Sequence, residues 1–405
     1  MQNFTLTRKM VIASMLLVLI GIFAFHTKEP VVYFSVKNNL NRARTSETIS
    51  IPVSKINKLV KAFGAAQLQI KDVTTDSVLV SQPLDNNGDG TIDEILFQIN
   101  IPANAEKKFS VSGRQPGAAA PRSKLTTYAR FVPERTDDFA WENDRVAFRT
   151  YGPVAQQLVE QNKPGGTLTS GIDAWLKRVN YPIIDKWYRN NSTQGGSYHV
   201  DHGEGYDPYQ VGPSRGVGGI GVFLNDSLYV SKNFVQYKIL ATGPIRTLFE
   251  LTYAPWQAGN SIIQEKKRIS LDLGSNLTRY EVTLRSNQTL PNVTVGIALH
   301  DKKGEVKVNP SQGWFRYWEP MDDAFLGTGI VVSPAAVQQY KDWRVKAKDH
   351  SQLLVITKPQ KNTIVYYAGF GWTKSENFKN QAEWDAYLQT FAQCKASPLQ
   401  LTLKK

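Results

Sequence analysis

Short apolar runs that alternate with polar residues dominate this sequence, and they constrain its fold more than any other feature. Glycine, proline, asparagine and aspartate separate the runs, a pattern that predicts many short β-strands joined by turns. Such strands favour β-sandwiches over parallel α/β sheets. We therefore predict a mostly β fold with a few short helices. The clearest runs are residues 49–53, 95–101, 234–240, 247–253, 269–273, 280–284, 293–299 and 363–368.

Helical periodicity is confined to three segments. Residues 381–394 are the best candidate, because their large apolar side chains recur at three- and four-residue spacing on one face. Residues 174–180, which end before Pro182, and residues 334–344 predict two shorter helices.

The segment SGRQPGAAAPRS at residues 112–123 lacks periodicity, which is typical of a linker. We predict a small β-sandwich at residues 28–115 and a large, many-stranded β-sandwich at residues 116–405. A chain of 405 residues has room for both. The single cysteine, Cys394, excludes a disulfide framework and a cysteine zinc site.

Residues 1–27 have the pattern of an export signal. Arg8 and Lys9 precede a charge-free, mostly apolar stretch at residues 10–25, which is short for a bilayer span. No clean cleavage site follows, so an uncleaved membrane anchor is the alternative. In both cases we expect the functional part to begin near Lys28 and to lie outside the cytoplasm, in the periplasm.

The charge balance favours an anionic partner. Lys and Arg number 48 against 35 Asp and Glu, a formal net charge of +13. The cations are dispersed and accompany no nucleic-acid motif, so we expect no nucleic-acid partner. No protein partner is implied. The glycines at residues 216–219 lack the strand–turn–helix context of a nucleotide site, and we predict no organic cofactor.

Residues 85–94 resemble a calcium-binding loop. Oxygen side chains occupy positions one, three, five and nine, and Gly90 occupies the sharp turn of an EF-hand. Position twelve is Leu96 instead of the required glutamate. The loop is therefore either a structural calcium site or an Asx-rich turn without a metal. The candidate ligands are Asp85, Asn87, Asp89 and Asp93.

Charged residues of both signs crowd between large aromatic residues in the segment RFVPERTDDFAWENDRVAFRTYGP at 130–153. Rings stack on sugar faces, and planar charged groups bind hydroxyls or uronates, so the pattern predicts a sugar-facing cleft. An ion-pair network at a strand edge is the alternative. Trp318, in a third aromatic cluster, either lines a sugar subsite or fills the sandwich. The substrate-binding candidates are Trp141, Glu142, Asn143, Asp144, Arg149 and Trp318.

The segment at residues 198–219 combines two of the five histidines with tyrosines, carboxylates, an arginine and six glycines. Glycine allows a close approach to a ligand, and His and Tyr are suited to moving protons. Glu204 and Asp207 are candidates either for a second divalent-metal site or for acid–base chemistry. His300 is a weaker candidate for the same cleft. The catalytic candidates are His199, His202, Tyr206, Tyr209 and Arg215.

With these motifs the sequence resembles a family of exported Bacteroidota proteins, domain-of-unknown-function family 4861. The matching stretches are residues 85–97, residues 130–153, HGEGYDPYQVGPSRGVGG at 202–219, GPIRTLFELTY at 243–253 and YYAGFGWTKS at 366–375. The resemblance implies a galactose-mutarotase-like β-supersandwich. It also implies action on the non-reducing uronic acid of ulvan- or pectin-like oligosaccharides, with elimination of water to leave a 4,5-unsaturated uronyl residue.

Such an elimination needs a cation at the uronate carboxylate, a base for H5 and an acid for the leaving O4. We expect Arg215, with Arg149 or a bound cation, to hold the carboxylate. His199 or His202 would be the base, and Tyr206 or Tyr209 the acid. Two alternatives stay open: a non-catalytic glycan-binding protein, and a glycoside hydrolase. The hydrolase would use one carboxylate from Glu142 or Asp144 and one from Glu204 or Asp207.

Overall fold

The computed structural model describes residues 30–193, 196–347 and 349–404. The predicted export segment lies outside these residues. The described chain is mostly β, as predicted, with several sheets and four α-helices. Its helices are all too short or too polar to cross a bilayer.

Residues 31–113 form a small sandwich of two antiparallel sheets. Three phenylalanines, Phe34, Phe97 and Phe109, pack ring against ring at 5.4–5.8 Å in its core. One sheet has the order β1-β7-β3-β4, and the other has the order β2-β6-β5. In sequence order, the elements are β1 (Val31–Lys37), β2 (Arg44–Pro52), α1 (Asn57–Phe63), β3 (Leu68–Asp72), β4 (Val78–Leu79), β5 (Ser81–Leu84), β6 (Glu94–Ile101) and β7 (Glu106–Gly113).

A third, five-stranded sheet follows. Its elements are β8 (Tyr128–Val132), β9 (Asp138–Glu142), β10 (Ala147–Thr150), α2 (Pro153–Glu160), β11 (Asp173–Lys177), α3 (Ile184–Ser192) and β12 (Gly205–Tyr206). The strand order is β12-β11-β10-β9-β8. The helix predicted at residues 174–180 is therefore wrong. All five residues of β11 are buried, because Trp175 packs on α3 while Ala174 and Leu176 face the main core, so the strand shows no alternation.

Two further sheets, of five and nine strands, complete the fold and share one apolar core. The first has the order β14-β13-β20-β25-β24, and the second has the order β15-β16-β18-β19-β26-β23-β22-β21, with β17 beside β18. The elements are β13 (Val217–Leu224), β14 (Ser227–Tyr229), β15 (Phe234–Ala241), β16 (Arg246–Tyr253), β17 (Trp256–Ala258), β18 (Ser261–Asp272), β19 (Leu277–Ser286), β20 (Val293–Ala298), β21 (Glu305–Asn309), β22 (Trp314–Met321), β23 (Ala324–Val332), β24 (Val337–Trp343), β25 (Gln352–Thr357), β26 (Thr363–Trp372), α4 (Gln381–Ala396) and β27 (Gln400–Leu403).

Each of the eight predicted apolar runs lies in or largely within a strand, and the predicted helix at 381–394 is α4. The side chain of Asn380 caps α4 by accepting the backbone N–H of Glu383. The helix predicted at residues 334–344 is wrong. After one 3₁₀ turn at Pro334–Ala336, this segment is the edge strand β24, whose only strand partner in the described chain is β25.

The last strand returns to the first sheet. β27 pairs with β1 in antiparallel register, with Phe34 opposite Leu403. The predicted division at residue 115 lies between β7 and β8, but it assigns β27 to the second unit, whereas its backbone hydrogen bonds are with the first.

Candidate active site

A buried charge cluster lies at the sheet formed by β8 to β12, and Arg149 of β10 is at its centre. Its Nη2 lies 2.6 Å from Asp173 Oδ2 and 2.8 Å from Asp207 Oδ2, and its Nη1 lies 3.6 Å from Asp138 Oδ2. The rings of Tyr151, Trp175 and Tyr198 surround the guanidinium at 5.1–5.2 Å. Arg149 is 5% exposed. It therefore neutralises carboxylates of the protein itself and is not free to hold a substrate, contrary to the predicted role.

Three carboxylates around one guanidinium cannot all ionise at low cost. Burial raises the pKa of Asp138 to about 6, although the charges of Arg149 and Arg135 act in the opposite direction. Burial, followed by the charge of Asp173, also raises the pKa of Asp207 well above its usual range. Asp138 and Asp207 therefore hold their protons to a higher pH than exposed aspartates do.

His199 connects this cluster to solvent. Its Nδ1 lies 2.8 Å from the backbone carbonyl oxygen of Asp207 and 3.6 Å from Asp207 Oδ2. A carbonyl oxygen only accepts, so Nδ1 carries the proton and Nε2 of the neutral ring keeps its lone pair. The side chain is 59% exposed. His199 thus has the tautomer and the exposure that a general base requires.

A small cavity of 130 Å³ lies at the same loop, with room for several water molecules; Tyr198 and Val200, the neighbours of His199 in the sequence, line it, and His199 does not. His202 and Glu204 both line it. Three donors hold the Glu204 carboxylate: Tyr181 Oη at 2.5 Å, Lys186 Nζ at 2.7 Å and Trp187 Nε1 at 3.3 Å. The complete lining is Lys186, Trp187, Asn190, Ser197, Tyr198, Val200, His202, Glu204 and Gly205.

The structure does not support a metal site at Glu204 and Asp207. The two carboxylates share no hydrogen-bond partner in the described chain, since Asp207 bonds to Arg149 and Glu204 bonds to residues of the cavity. Residues 30–193, 196–347 and 349–404 contain no group of three His, Cys, Asp or Glu placed to hold a metal ion.

Tyr206 and Tyr209 differ in their access to solvent. Tyr206 is half-buried and its hydroxyl donates to Asp322. Burial and this hydrogen bond raise the pKa of Tyr206. Tyr209 is 5% exposed, and its ring packs edge-to-face on His300 at 4.6 Å. Of the two tyrosines predicted as the acid, only Tyr206 can therefore reach a surface ligand.

His300 forms a second buried ion pair. Its Nδ1 donates to Glu319 Oε1 at 2.7 Å, and its Nε2 lies 3.0 Å from the carbonyl oxygen of Gln210. Both nitrogens face oxygen atoms, an arrangement in which a protonated ring donates from both and keeps no lone pair for a base. Burial alone would lower the pKa of His300, but Glu319 outweighs burial and the pKa is raised.

This ion pair predicts a pH dependence of stability. The raised pKa of His300 stabilises the folded state fully below the unfolded pKa of about 6.5, and this contribution is lost as the pH rises through the folded pKa. Urea unfolding of His300→Gln at a series of pH values should show a flatter profile than wild type over this window. The control variant His350→Gln, at an exposed residue, should keep the wild-type slope. If the stability of wild type and of His300→Gln depended equally on pH, His300 would not be an imidazolium in the folded protein.

Arg215 lies inside the sandwich, where it cannot hold a substrate carboxylate. It is 1% exposed, and its guanidinium donates to Ser170 Oγ at 2.9 Å and to Thr169 Oγ1 at 3.3 Å. Burial lowers the pKa of Arg215 to about 10. This correction removes the cation on which the predicted elimination relied.

Two glycines of residues 198–219, Gly205 and Gly216, serve backbone packing. A Cβ at Gly205 would lie 1.9 Å from the carbonyl oxygen of Leu176, and a Cβ at Gly216 would lie 1.9 Å from that of Ile172. Both glycines also have positive φ, at 109° and 58°. They let this loop lie against β11 and its preceding residue, instead of leaving room for a ligand.

The substrate-binding residues predicted at 141–144 stabilise the fold. Trp141 is fully buried, stacks on Phe148 at 5.4 Å and donates to Thr278. Glu142 is also fully buried, where it pairs with Lys177 Nζ at 2.7 Å and accepts the first backbone N–H groups of α3. Neither side chain has a surface for a sugar.

The remaining members of this set also make internal contacts. Asn143 donates to the carbonyl oxygens of Asp272 and Ser275, and Asp144 accepts the backbone N–H of Gly274 at 2.6 Å. Trp318 is 7% exposed, stacks on Phe325 at 5.9 Å and belongs to the apolar cluster that includes Trp384 of α4.

The calcium-like loop is ordered by its own hydrogen bonds. Asp85 Oδ2 accepts the N–H of Gly90, and Asn87, Asp89 and Asp93 each accept one further backbone N–H within the loop. Lys238 of β15 donates its ammonium group to the carbonyl oxygen of Asn87 at 2.8 Å. The protein thus supplies a cation of its own to the loop, which favours the Asx turn.

We expect the melting temperature to be the same in calcium and in chelator. A ligand that binds only the folded state would raise it with concentration. Thermal unfolding at several calcium concentrations measures this, with Asp89→Asn as the loop variant. A rise that saturates with calcium and is lost in Asp89→Asn would establish the metal site instead.

Several residues of the site were missed by the sequence reasoning. Asp138, Asp173 and Tyr198 complete the Arg149 cluster, and Lys186 and Tyr181 complete the cavity. Asp173 belongs to no motif and immediately precedes the helix that was wrongly predicted at residues 174–180. Only the unusual charge density of residues 130–153 indicated that carboxylates would have to be neutralised nearby.

The comparisons with known proteins assign the family. The family model "Domain of unknown function (DUF4861)" matches residues 36–401. The chain belongs to the DUF4861 family. A DUF4861 relative from Formosa agariphila, "Uncharacterized protein P7", is 46% identical over 371 residues, which cover 91% of this chain and 93% of that protein. The family predicted from the sequence motifs is thus confirmed.

A solved structure shares the fold of this DUF4861 chain. A protein in the glycosyl hydrolase family 38 from Enterococcus faecalis has a TM-score of 0.50 and 10% identity, over 93% of this chain and 47% of that chain. An α-mannosidase from E. faecalis V583 has a TM-score of 0.49 and 9% identity, over 93% and 46%. The chain spans about half the length of these proteins. At this identity the likeness shows the fold alone, and the predicted supersandwich class is confirmed.

Proposed function

We propose that this protein is an exported, carbohydrate-active enzyme that acts on the non-reducing uronic acid of acidic oligosaccharides. The reaction is β-elimination of water, which leaves a 4,5-unsaturated uronyl residue. The glycan is ulvan-like or pectin-like. The net charge of +13 favours capture of such an anion.

The observation that carries the proposal is the fixed tautomer of His199. Elimination begins when a base removes H5, and a neutral imidazole with a free Nε2 is suited to this step. The Asp207 carbonyl oxygen holds Nδ1–H and orients the ring. The electron pair of the C5–H bond then forms the double bond as O4 leaves with a proton. Tyr206 is the acid in reach of solvent, and Asp322 orients its hydroxyl.

The uronate carboxylate needs a cation other than the buried Arg215 and Arg149. Lys186, whose side chain is 55% exposed, lines the cavity together with Tyr198 and Val200, which flank His199 in the sequence. Arg178, 31% exposed, bonds to the carbonyl oxygen of Gly203 in the same loop. Both retain exposed surface while paired with Glu204 and Asp201. We propose that they neutralise the carboxylate as the enolate-like charge develops.

A glycoside hydrolase is the second candidate, because the glycosyl hydrolase family 38 protein shares the fold. A hydrolase needs two carboxylates on opposite sides of the bond. Glu142 is sealed in an ion pair, Asp144 bonds to a backbone N–H, and Asp207 is buried beside Arg149. The geometry of the predicted pairs therefore favours elimination.

The reaction products distinguish elimination from hydrolysis and from glycan binding without a reaction. The protein is incubated with saturated uronyl oligosaccharides and the mixture is followed by mass spectrometry and ultraviolet absorbance. We expect loss of one water together with the absorbance of a conjugated enoate. A new reducing end without that absorbance would replace elimination with hydrolysis, and binding without any product would leave a glycan-binding protein.

A further inference from the structure

A cavity separate from the His199 loop lies where β2, the outer face of the nine-stranded sheet and α4 meet. Its volume is 290 Å³. Because it is lined by strands of two sheets and by a helix, its walls are regular elements. None of its lining residues takes part in the proposed elimination.

Five cations and two carboxylates line this cavity. Arg145 and Arg279 also pair with Asp144 and Glu281, which do not line it. Glu47 and Asp272 are its carboxylates, and Asp272 is bound in a bidentate pair by Arg246. Arg44, 3% exposed, bonds to Asn38 and to the carbonyl oxygen of Ser397, and it makes no ion pair within residues 30–193, 196–347 and 349–404. Burying a guanidinium without a carboxylate partner is costly. The cations of the lining are Arg44, Arg145, Arg246, Arg279 and Lys395.

Aromatic rings accompany these cations. The Lys395 ammonium lies 4.8 Å from the ring centre of Phe391 and 5.2 Å from that of Tyr367, and both rings line the cavity. Half-buried rings beside cations bind the apolar face of a sugar and its negative charge together. Aliphatic anions or neutral sugars would use only one of these two features.

We propose that this cavity binds one oxyanion-bearing sugar residue of an acidic glycan, at a site separate from the His199 loop. The shared chemistry is a carboxylate or sulfate group on a pyranose ring. The inference requires an acidic glycan as the ligand but does not require the elimination reaction. It gives the protein a second point of attachment to the same class of polymer, and two linked sites raise the apparent affinity for long chains.

Calorimetric titration of the full protein tests the site with three probes: oligogalacturonate, which carries only carboxylates, a carrageenan oligosaccharide, which carries only sulfates, and a neutral cello-oligosaccharide. We expect at least one anionic probe to bind at least tenfold more tightly than the neutral one. The probe that binds identifies the anion as carboxylate or sulfate. Equal affinity for all three probes, or no binding, would overturn the proposal.

Substitutions in the cavity and outside it show whether the anionic probe binds there. Lys395→Ala combined with Arg279→Ala, at side chains that retain exposed surface, should weaken binding of the anionic probe about tenfold or more. Lys266→Ala, on the same sheet but outside the lining, should bind as wild type does. His199→Gln should also bind as wild type does. Unchanged affinity in the double variant, or affinity lost only in His199→Gln, would overturn the second site.

The proposed elimination is measured independently of binding at the cavity. The double variant should still form any unsaturated product that the wild type forms from a short oligosaccharide. If no product forms in either protein while binding follows the cavity, the proposed reaction fails and the cavity site stands.

Discussion

Replacing Arg149 with methionine is expected to lower the free energy of unfolding by about 3–5 kcal/mol, the range for breaking a buried ion pair by removing one partner. Methionine keeps most of the volume but leaves Asp138, Asp173 and Asp207 buried without their shared cation. The loss should be larger at pH 8 than at pH 5. Carboxyl groups with raised pKa values are protonated at the lower pH and no longer need the cation.

Urea unfolding at the two pH values measures this effect. The matched control is Arg344→Met, because Arg344 pairs with a single aspartate and is 37% exposed. Exposed pairs contribute about 0–1 kcal/mol. An Arg149→Met protein as stable as the control variant would show that the cluster does not depend on its guanidinium.

The second large effect concerns activity. His199→Gln should lower the turnover of a uronyl oligosaccharide by about 10²–10⁴-fold, the contribution typical of a general base. Glutamine can still donate a hydrogen bond near the Asp207 carbonyl, and the side chain is largely exposed, so the melting temperature should stay at the wild-type value.

His202→Gln is the matched control for the base. This imidazole is close in sequence and lines the cavity, but it has no hydrogen bond that fixes its tautomer in the described chain. We expect a loss of less than about tenfold, since a group outside the proton transfer contributes only to binding. If His202→Gln loses more activity than His199→Gln, the base is assigned to the wrong histidine.

Much of the fold was predictable because strand periodicity is a local signal. The eight apolar runs became strands, and in most of them one face packs on a core while the other is less covered. The strand β20 is buried on both faces and was identified by its continuous apolar run. The failure at β11 has the opposite cause. Trp175 and its neighbours are covered on both sides, so no alternation exists in the sequence to be read.

The candidate site was less predictable, because its members are brought together by tertiary contacts. Arg149 and Asp207 are far apart in sequence, and the positive φ angles of Gly203 and Gly205 turn the loop between His202 and Tyr206. The side chains of residues 198–219 therefore lie in four different places. His199 is at the surface, His202 lines the cavity, Asp207 is in the Arg149 cluster and Arg215 is inside the sandwich. Composition identified the segment but not the direction of each side chain.

The return of β27 to β1 makes the two ends of the described chain interdependent. The first sheet acquires this edge strand only after the large sandwich between them has been synthesised, so its completion waits for a contact of very long sequence separation. Fraying of residues 400–403 would expose the backbone edge of β1 to other chains. The helix α4 immediately precedes β27 in the chain. A substitution that displaces α4 would therefore also displace β27 and weaken the amino-terminal sandwich.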